Sequence, residues 1–226
     1  MAIDTFVDAL FVGFRPRVVF HLGAQAGVQY SIENPRAYVD ANVVGTFNVL
    51  QAARKVGTER LFFASSSTVY GSALSEERTE NMELEPISFY GLTKLYGEQM
   101  CDHYSRDLSI VMGRLFTVYG PWGRPDMSIQ IFIDAMENGR KIKLVGDGRV
   151  RRSYTFVDDV VKAVIGLTES AHVGVFNIGN SRAVELLEVV KILEELTGRR
   201  AVLEFAERKE WDILASRANA TKLQAA

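Results

Sequence analysis

The chain has 226 residues, 47% hydrophobic and 24% charged, with a formal net charge of -2. This is ordinary globular composition for one sizeable domain or a domain plus a small lobe, and nothing in it suggests a bulk nucleic-acid or anionic-membrane partner. The single cysteine, Cys101, excludes an internal disulfide and a cysteine-based metal site, which suits a reducing, cytoplasmic setting.

Taken in order, the opening MAIDTFVDALFVGF lacks the basic n-region and small-residue cleavage site of a signal peptide. No apolar run approaches the roughly 20 residues of a membrane span. RVVFHLGA (17–24) is a continuous apolar run, the pattern of a strand buried on both faces. Pro35 opens a helical stretch to about residue 55, and Gly57 suits its C-terminal cap. RLFFASS (60–66) reads as a second buried strand, and 71–87 as a loop. Ser88 can cap a helix over about 90–106. IVMGRLFTVYG (110–120) reads as one strand entering the turn G-P-W-G-R-P-D. Residues 128–138 look helical up to Gly139, and 141–145 form a short strand. A helix over 158–170, a strand over 175–179, a helix over 184–197 closed by Gly198 and a strand over 201–205 complete the pattern. This alternation predicts an α/β fold with a mainly parallel sheet. The first 120 residues would form the main sheet unit, and 121–226 mainly a smaller lobe, with about 153–180 returning to the main sheet.

Chemistry concentrates in two places. Tyr90 and Lys94 form Y-x-x-x-K, and Ser65, Ser66 and Ser67 close the run LFFA. A tyrosine pKa near 10 is too high for a base at pH 7, but a neighbouring ammonium favours the phenolate. Lys94, four residues on, shares the helix face of Tyr90. A serine hydroxyl can bridge the substrate oxygen and the tyrosine oxygen. Ser66 ends a predicted strand, where open α/β sheets place their ligands. Y-x-x-x-K alone occurs often on surface helices; the serine-rich strand end gives it weight.

The strings HLGAQAGVQYSIENPRAYVDANVVGTFNVLQAAR, ASSSTVYG, SFYGLTK, RLFTVYGPWGRPDM and RRSYTFVDDVV resemble the extended short-chain dehydrogenase/reductase family. Within it they are most similar to NAD-dependent nucleoside-diphosphate-sugar epimerases, and closest to UDP-glucuronate 4-epimerases. The resemblance implies an isomerase of nucleotide sugars. Tyr90 would be the catalytic base, Ser66 the catalytic hydroxyl, and Lys94 the holder of the nicotinamide ribose. Leu22, Gly23 and Ala24, matching the family's H-L-A-A strand end, would line the NAD cofactor with Tyr90 and Lys94. Ser67 and Thr68 would touch the sugar, and Thr117 and Arg124 its carboxylate, since guanidinium binds carboxylate bidentately. Arg152 would contact the nucleotide diphosphate, although R-S-Y replaces the family's R-D-[FY] and leaves its bracing open. Asn177 and Gly179 would close the substrate lobe. His21, after an all-apolar run, is assigned no catalytic role. Ser67 and Thr68 replace the acidic pair of the dehydratases, and Thr68 replaces the decarboxylases' glutamate, which disfavours both reactions.

A complete member of that family opens with a strand and G-x-x-G-x-x-G, whose backbone N–H groups approach the pyrophosphate. Here Gly13 stands alone, and Gly23 with Gly27 gives only G-x-x-x-G. Residues 3–14 look like the family helix before its fourth strand, and ASRANATKLQAA like its A-D-x-S-K segment. The expectation is a partial Rossmann-like, doubly wound parallel sheet lacking its first strands, beside a small α/β substrate-binding lobe. Strand 17–24 would be a sheet edge. A long apolar edge invites pairing with another chain. A homodimer or higher homo-oligomer is therefore expected, through that edge or the helices 35–55 and 89–106. NAD binding is expected to be weak or absent, with a UDP-sugar or other nucleotide sugar as partner. The alternative to a 4-epimerase is an inactive epimerase-like protein that self-associates or binds nucleotide sugar without NAD.

Overall fold

The computed structural model describes residues 2–71, 75–208, 213 and 215–226. It is an α/β structure whose strand pairs are parallel except one. The main sheet runs β1 (Val18–His21), β2 (Arg60–Ser66), β4 (Ser109–Leu115), β8 (Gly174–Ile178). β3 (Glu77–Arg78) belongs to a second sheet, ordered β3, β11 (Ala215–Ala218), β7 (Arg151–Phe156), β5 (Thr117–Tyr119), with β9 (Ala183–Glu185) antiparallel to β7. β6 (Lys141–Val145) and β10 (Val202–Ala206) form a separate parallel pair.

The central strands behave as their apolar runs predict. Leu61, Phe62, Phe63, Val111 and Met112 are buried, and helices cover both faces. One face packs Leu50 and Ala53 of α4 (Gly45–Val56) and Cys101 and Tyr104 of α5 (Phe89–Tyr104) against Leu61, Phe63, Ile110 and Met112. The other packs Val160, Val164 and Leu167 of α7 (Val157–Glu169) against Phe62, Val111 and Phe176. A second core, around Phe132 of α6 (Ser128–Glu137), Ile142, Leu144 and Leu193 of α8 (Leu186–Thr197), lies under the β6–β10 pair.

Three expectations need correction. Strand 17–24 shrinks to Val18–His21 and is not buried on both faces: Val18 is 43% and Phe20 44% exposed. Among the described residues it pairs only with β2. The single strand over 110–120 is two. The Phe116 amide still donates to Ile178 O at 3.1 Å, and from Thr117 the chain pairs with β7 instead. β7, β9 and β11 and the short helices α2 (Val28–Glu33) and α9 (Thr221–Gln224) have no counterpart in the sequence reading. The stretch from Pro35 is helical throughout, as α3 (Pro35–Tyr38), a π-helical turn Val39–Val44 and α4, and Gly57 caps it in the left-handed conformation at φ 73°. α1 (Ala2–Phe14) lies against α4, where Lys55 Nζ pairs with Asp8 at 2.7 Å.

One close approach sets the site. A Cβ on Gly97 would stand 2.3 Å from the Phe63 ring, so α5 sits directly on β2 only because this residue is glycine. One turn earlier the same helix face carries Lys94, and two turns earlier Tyr90.

Candidate active site

Ser66 is the last residue of β2 and is buried. Its Oγ accepts from the Thr68 amide at 3.3 Å and from Thr68 Oγ1 at 2.9 Å, capping the 3-10 turn Ser67–Tyr70. The Ser88 side chain caps α5 as predicted, accepting from the Gly91 amide at 3.0 Å, and so fixes the turn that holds Tyr90. Burial raises the Tyr90 pKa; a hydrogen bond from Ser66 and the charge of Arg124 pull the other way.

Lys94 is buried and donates to Ala64 O at 2.8 Å. Burial depresses its pKa to about 8. The Lys94 ammonium is directed at the Ala64 carbonyl within β2, and the charge of Arg124 favours the Tyr90 phenolate.

Ser66, Ser67, Thr68, Tyr90, Lys94, Thr117 and Arg124 line one cleft of about 580 Å³, together with Leu22 and Ala24. Arg124 makes a two-pronged pair with Asp126, Nε to Oδ1 at 2.9 Å and Nη2 to Oδ2 at 2.5 Å. Arg152 lines an adjoining cavity of about 350 Å³ that shares Ser67, Thr68 and Thr117 with the cleft. Its guanidinium donates to Arg151 O at 2.8 Å and Ile213 O at 2.5 Å. Ser153, standing where an aspartate was expected, turns inward and accepts from the Ala218 amide at 3.0 Å. Among the described residues, backbone carbonyls contribute to the bracing of Arg152.

Two predicted residues lie elsewhere. Gly23 is exposed, does not line the cleft, and has nothing within 4 Å of where a Cβ would stand. Asn177 lines neither cavity and is fully buried: its Oδ1 accepts from Tyr70 OH at 2.6 Å and its Nδ2 donates to Arg78 O at 2.8 Å. Its Nδ2 also donates to Asn219 O at 3.3 Å, so both amide hydrogens are used within the fold. His21 bonds Thr46 Oγ1 through Nε2 at 2.9 Å, and burial depresses its pKa to about 4, so it is neutral at pH 7.

Sequence reasoning missed the residues that hold the rim. Tyr38 is fully buried, donates to Ala26 O at 2.8 Å and Gly27 O at 2.5 Å, and meets the Tyr90 ring edge-on at 6.0 Å. Asn42 accepts from the Gln25 amide at 2.7 Å and donates to Thr93 Oγ1 at 3.0 Å, tying the segment after β1 to α5. Both lie within the string that carries the family resemblance, but neither has a spacing that by itself points to a chemistry. Arg114 did carry a signal: a charge inside an apolar strand must find a buried partner. That partner is Glu98, two parallel hydrogen bonds away at 3.0 and 2.8 Å.

Parallel α/β sheets with a serine, a tyrosine and a lysine gathered at the C-terminal strand ends define the class of this protein. Residues 2–179 match the NAD dependent epimerase/dehydratase family, and the chain belongs to it. It is 38% identical over 224 residues to a probable UDP-glucuronate 4-epimerase of Rhizobium meliloti, covering 88% of this chain and 65% of that relative. Protein CapI of Staphylococcus aureus is 37% identical, over 96% of this chain and 72% of the relative. The chain thus spans about two thirds of the length of the curated relatives it matches. Among solved structures, the UDP-glucuronic acid 4-epimerase of Bacillus cereus in complex with UDP-glucuronic acid and NAD superposes with a TM-score of 0.91 at 30% identity, over 97% of this chain and 71% of that one. MoeE5 in complex with UDP-glucuronic acid and NAD gives 0.90 at 35% identity, over 97% and 74%. Among the described residues no helix is long and apolar enough to cross a membrane, and no group of three or more metal-ligating side chains occurs.

Proposed function

We propose that this chain carries the substrate-binding and proton-transfer part of an NDP-sugar 4-epimerase site, with a UDP-glucuronate-like sugar as its substrate. The convergence of Ser66, Tyr90 and Lys94 with Arg124 in one cleft carries this reading. Tyr90 would take the proton of the sugar C4 hydroxyl and later return it, and Ser66 would bridge the two oxygens. Arg124 would bind the sugar carboxylate, Ser67, Thr68 and Thr117 the hydroxyls, and Arg152, in the adjoining cavity, the diphosphate. NAD, when bound, would supply reversible hydride acceptance at C4.

The residues present suit the nicotinamide-ribose end of that cofactor. Leu22, Ala24 and Ala64 give an apolar lining, and Lys94 donates one hydrogen bond to Ala64, with two N–H donors left for ribose hydroxyls. The 226 residues contain no G-x-x-G-x-x-G, so the pyrophosphate has no glycine-rich backbone cradle within this chain. That observation favours a second reading, nucleotide-sugar binding without turnover. The test is calorimetry followed by proton NMR. UDP-glucuronate is expected to bind, and NAD only at roughly millimolar concentration, a binding free energy near -4 kcal/mol. Conversion of UDP-glucuronate is expected only with several millimolar NAD present. No conversion at saturating NAD would leave the second reading standing; no nucleotide-sugar binding at all would sink both. A stoichiometric micromolar NAD isotherm would overturn the weak-cofactor expectation.

We also infer self-association. β1, which among the described residues pairs only with β2, carries exposed Val18 and Phe20, and exposed Phe6 and Phe14 lie on the adjoining α1. Light scattering is expected to give a mass of at least twice the chain at micromolar concentration; a monomer throughout that range would contradict it.

A further inference from the structure

Arg124 has a carboxylate partner already. It belongs to Asp126, two residues on in the same turn, and it engages the Nε–Nη2 edge of the guanidinium with both oxygens. A planar guanidinium binds a carboxylate best in this two-pronged form. Both side chains are about half exposed, 46% for Arg124 and 58% for Asp126, so either can swing without disturbing the core. The pair sits at the cleft wall beside Gly27: a Cβ there would stand 3.5 Å from Asp126 Oδ2 and 3.6 Å from Arg124 Nη2. The local charge is therefore close to zero where a sugar carboxylate would be bound.

We propose that Asp126 is a built-in competitor for the sugar carboxylate, setting how strongly the cleft prefers an acidic sugar over a neutral one. This rests on the reading of Arg124 as the carboxylate anchor. The geometry gives the direction of the effect. Because Asp126 is tethered two residues away, its effective concentration at Arg124 is high, and an incoming carboxylate must displace it or share the cation with it. A neutral hydroxymethyl sugar meets no such competition and gains no such attraction. Removing the charge of Asp126 while keeping its shape should free the cation for the acidic ligand alone.

The experiment is calorimetric titration of the full chain and its Asp126→Asn and Arg124→Gln variants with UDP-glucuronate, UDP-glucose and UDP. Circular dichroism confirms that each variant is folded. Asp126→Asn is expected to tighten UDP-glucuronate roughly two- to fivefold, the range an exposed ion pair carries, and to leave UDP-glucose and UDP unchanged. Arg124→Gln is expected to weaken UDP-glucuronate selectively. If Arg124→Gln weakens it but Asp126→Asn leaves it unchanged or weaker, the competitor role is wrong and the anchor stands. If Arg124→Gln does not discriminate among the three ligands, the anchor reading fails, and the competitor role with it.

Discussion

Replacing Glu98 by alanine is expected to remove about 3–5 kcal/mol of folding stability, the loss typical when one member of a buried ion pair is deleted. The Glu98 and Arg114 side chains are each only 4% exposed. Glu98 also accepts from Ser65 Oγ, and Arg114 donates to Tyr70 OH and Glu80 O, each at 3.0 Å. Burial alone would push the Arg114 pKa down, yet the Glu98 carboxylate holds it above the ordinary value. Deleting Glu98 leaves a guanidinium in the core with no anion beside it. Urea unfolding followed by circular dichroism reads the loss; a Glu98→Ala variant within about 1 kcal/mol of the parent would refute it. The double change Glu98→Met with Arg114→Met should recover much of the deficit, because a matched apolar pair avoids desolvating two charges. The pair also ties the site together. Tyr90, Lys94 and Glu98 follow one another at four-residue spacing on α5, and Glu98 grips the residue before Ser66. The register of the tyrosine against the serine thus depends on a bond two helical turns away.

What the sequence made legible follows from how local each signal is. The β2 and α5 assignments hold because LFFA is apolar throughout and Ser88 caps the helix it precedes. Tyr90, Lys94 and Ser66 were visible because four-residue spacing and a strand end are properties of short segments. β7 was not visible: R-R-S-Y-T-F opens with two arginines, and its burial comes from β5, β9 and β11, which arrive from distant parts of the chain. The break at Phe116 was hidden for a related reason. An apolar run shows that a strand is buried but not which sheet it joins, and here the backbone changes sheets without a break in polarity. Asn177 was expected in the cleft only because the family resemblance implied it; the fold shows Tyr70, Arg78 and Glu80 closing over it. The edge character of strand 17–24 could be argued from topology, but its exposed Val18 and Phe20 contradict the burial its composition suggests.

Replacing Tyr90 by phenylalanine is expected to reduce NAD-supported conversion of UDP-glucuronate roughly 10²–10⁴-fold, the span of a lost general acid–base group. Affinity for the nucleotide sugar should stay near that of the parent. The phenylalanine ring keeps the edge contact with Tyr38, and Arg124, Thr117 and Arg152 are untouched. A loss in rate without a loss in binding marks a group that acts only on the way to the transition state. The pH profile adds an independent sign. Burial raises the Tyr90 pKa, so the phenolate fraction, and with it the parent's rate, should climb as pH rises above neutrality. Tyr90→Phe should lack that climb. Ser66→Ala should keep it in weakened form, because the serine assists the phenolate without being the base. Initial rates by proton NMR at saturating NAD decide the matter: a Tyr90→Phe variant within tenfold of the parent, or one with the same alkaline rise, would remove Tyr90 from the role of base.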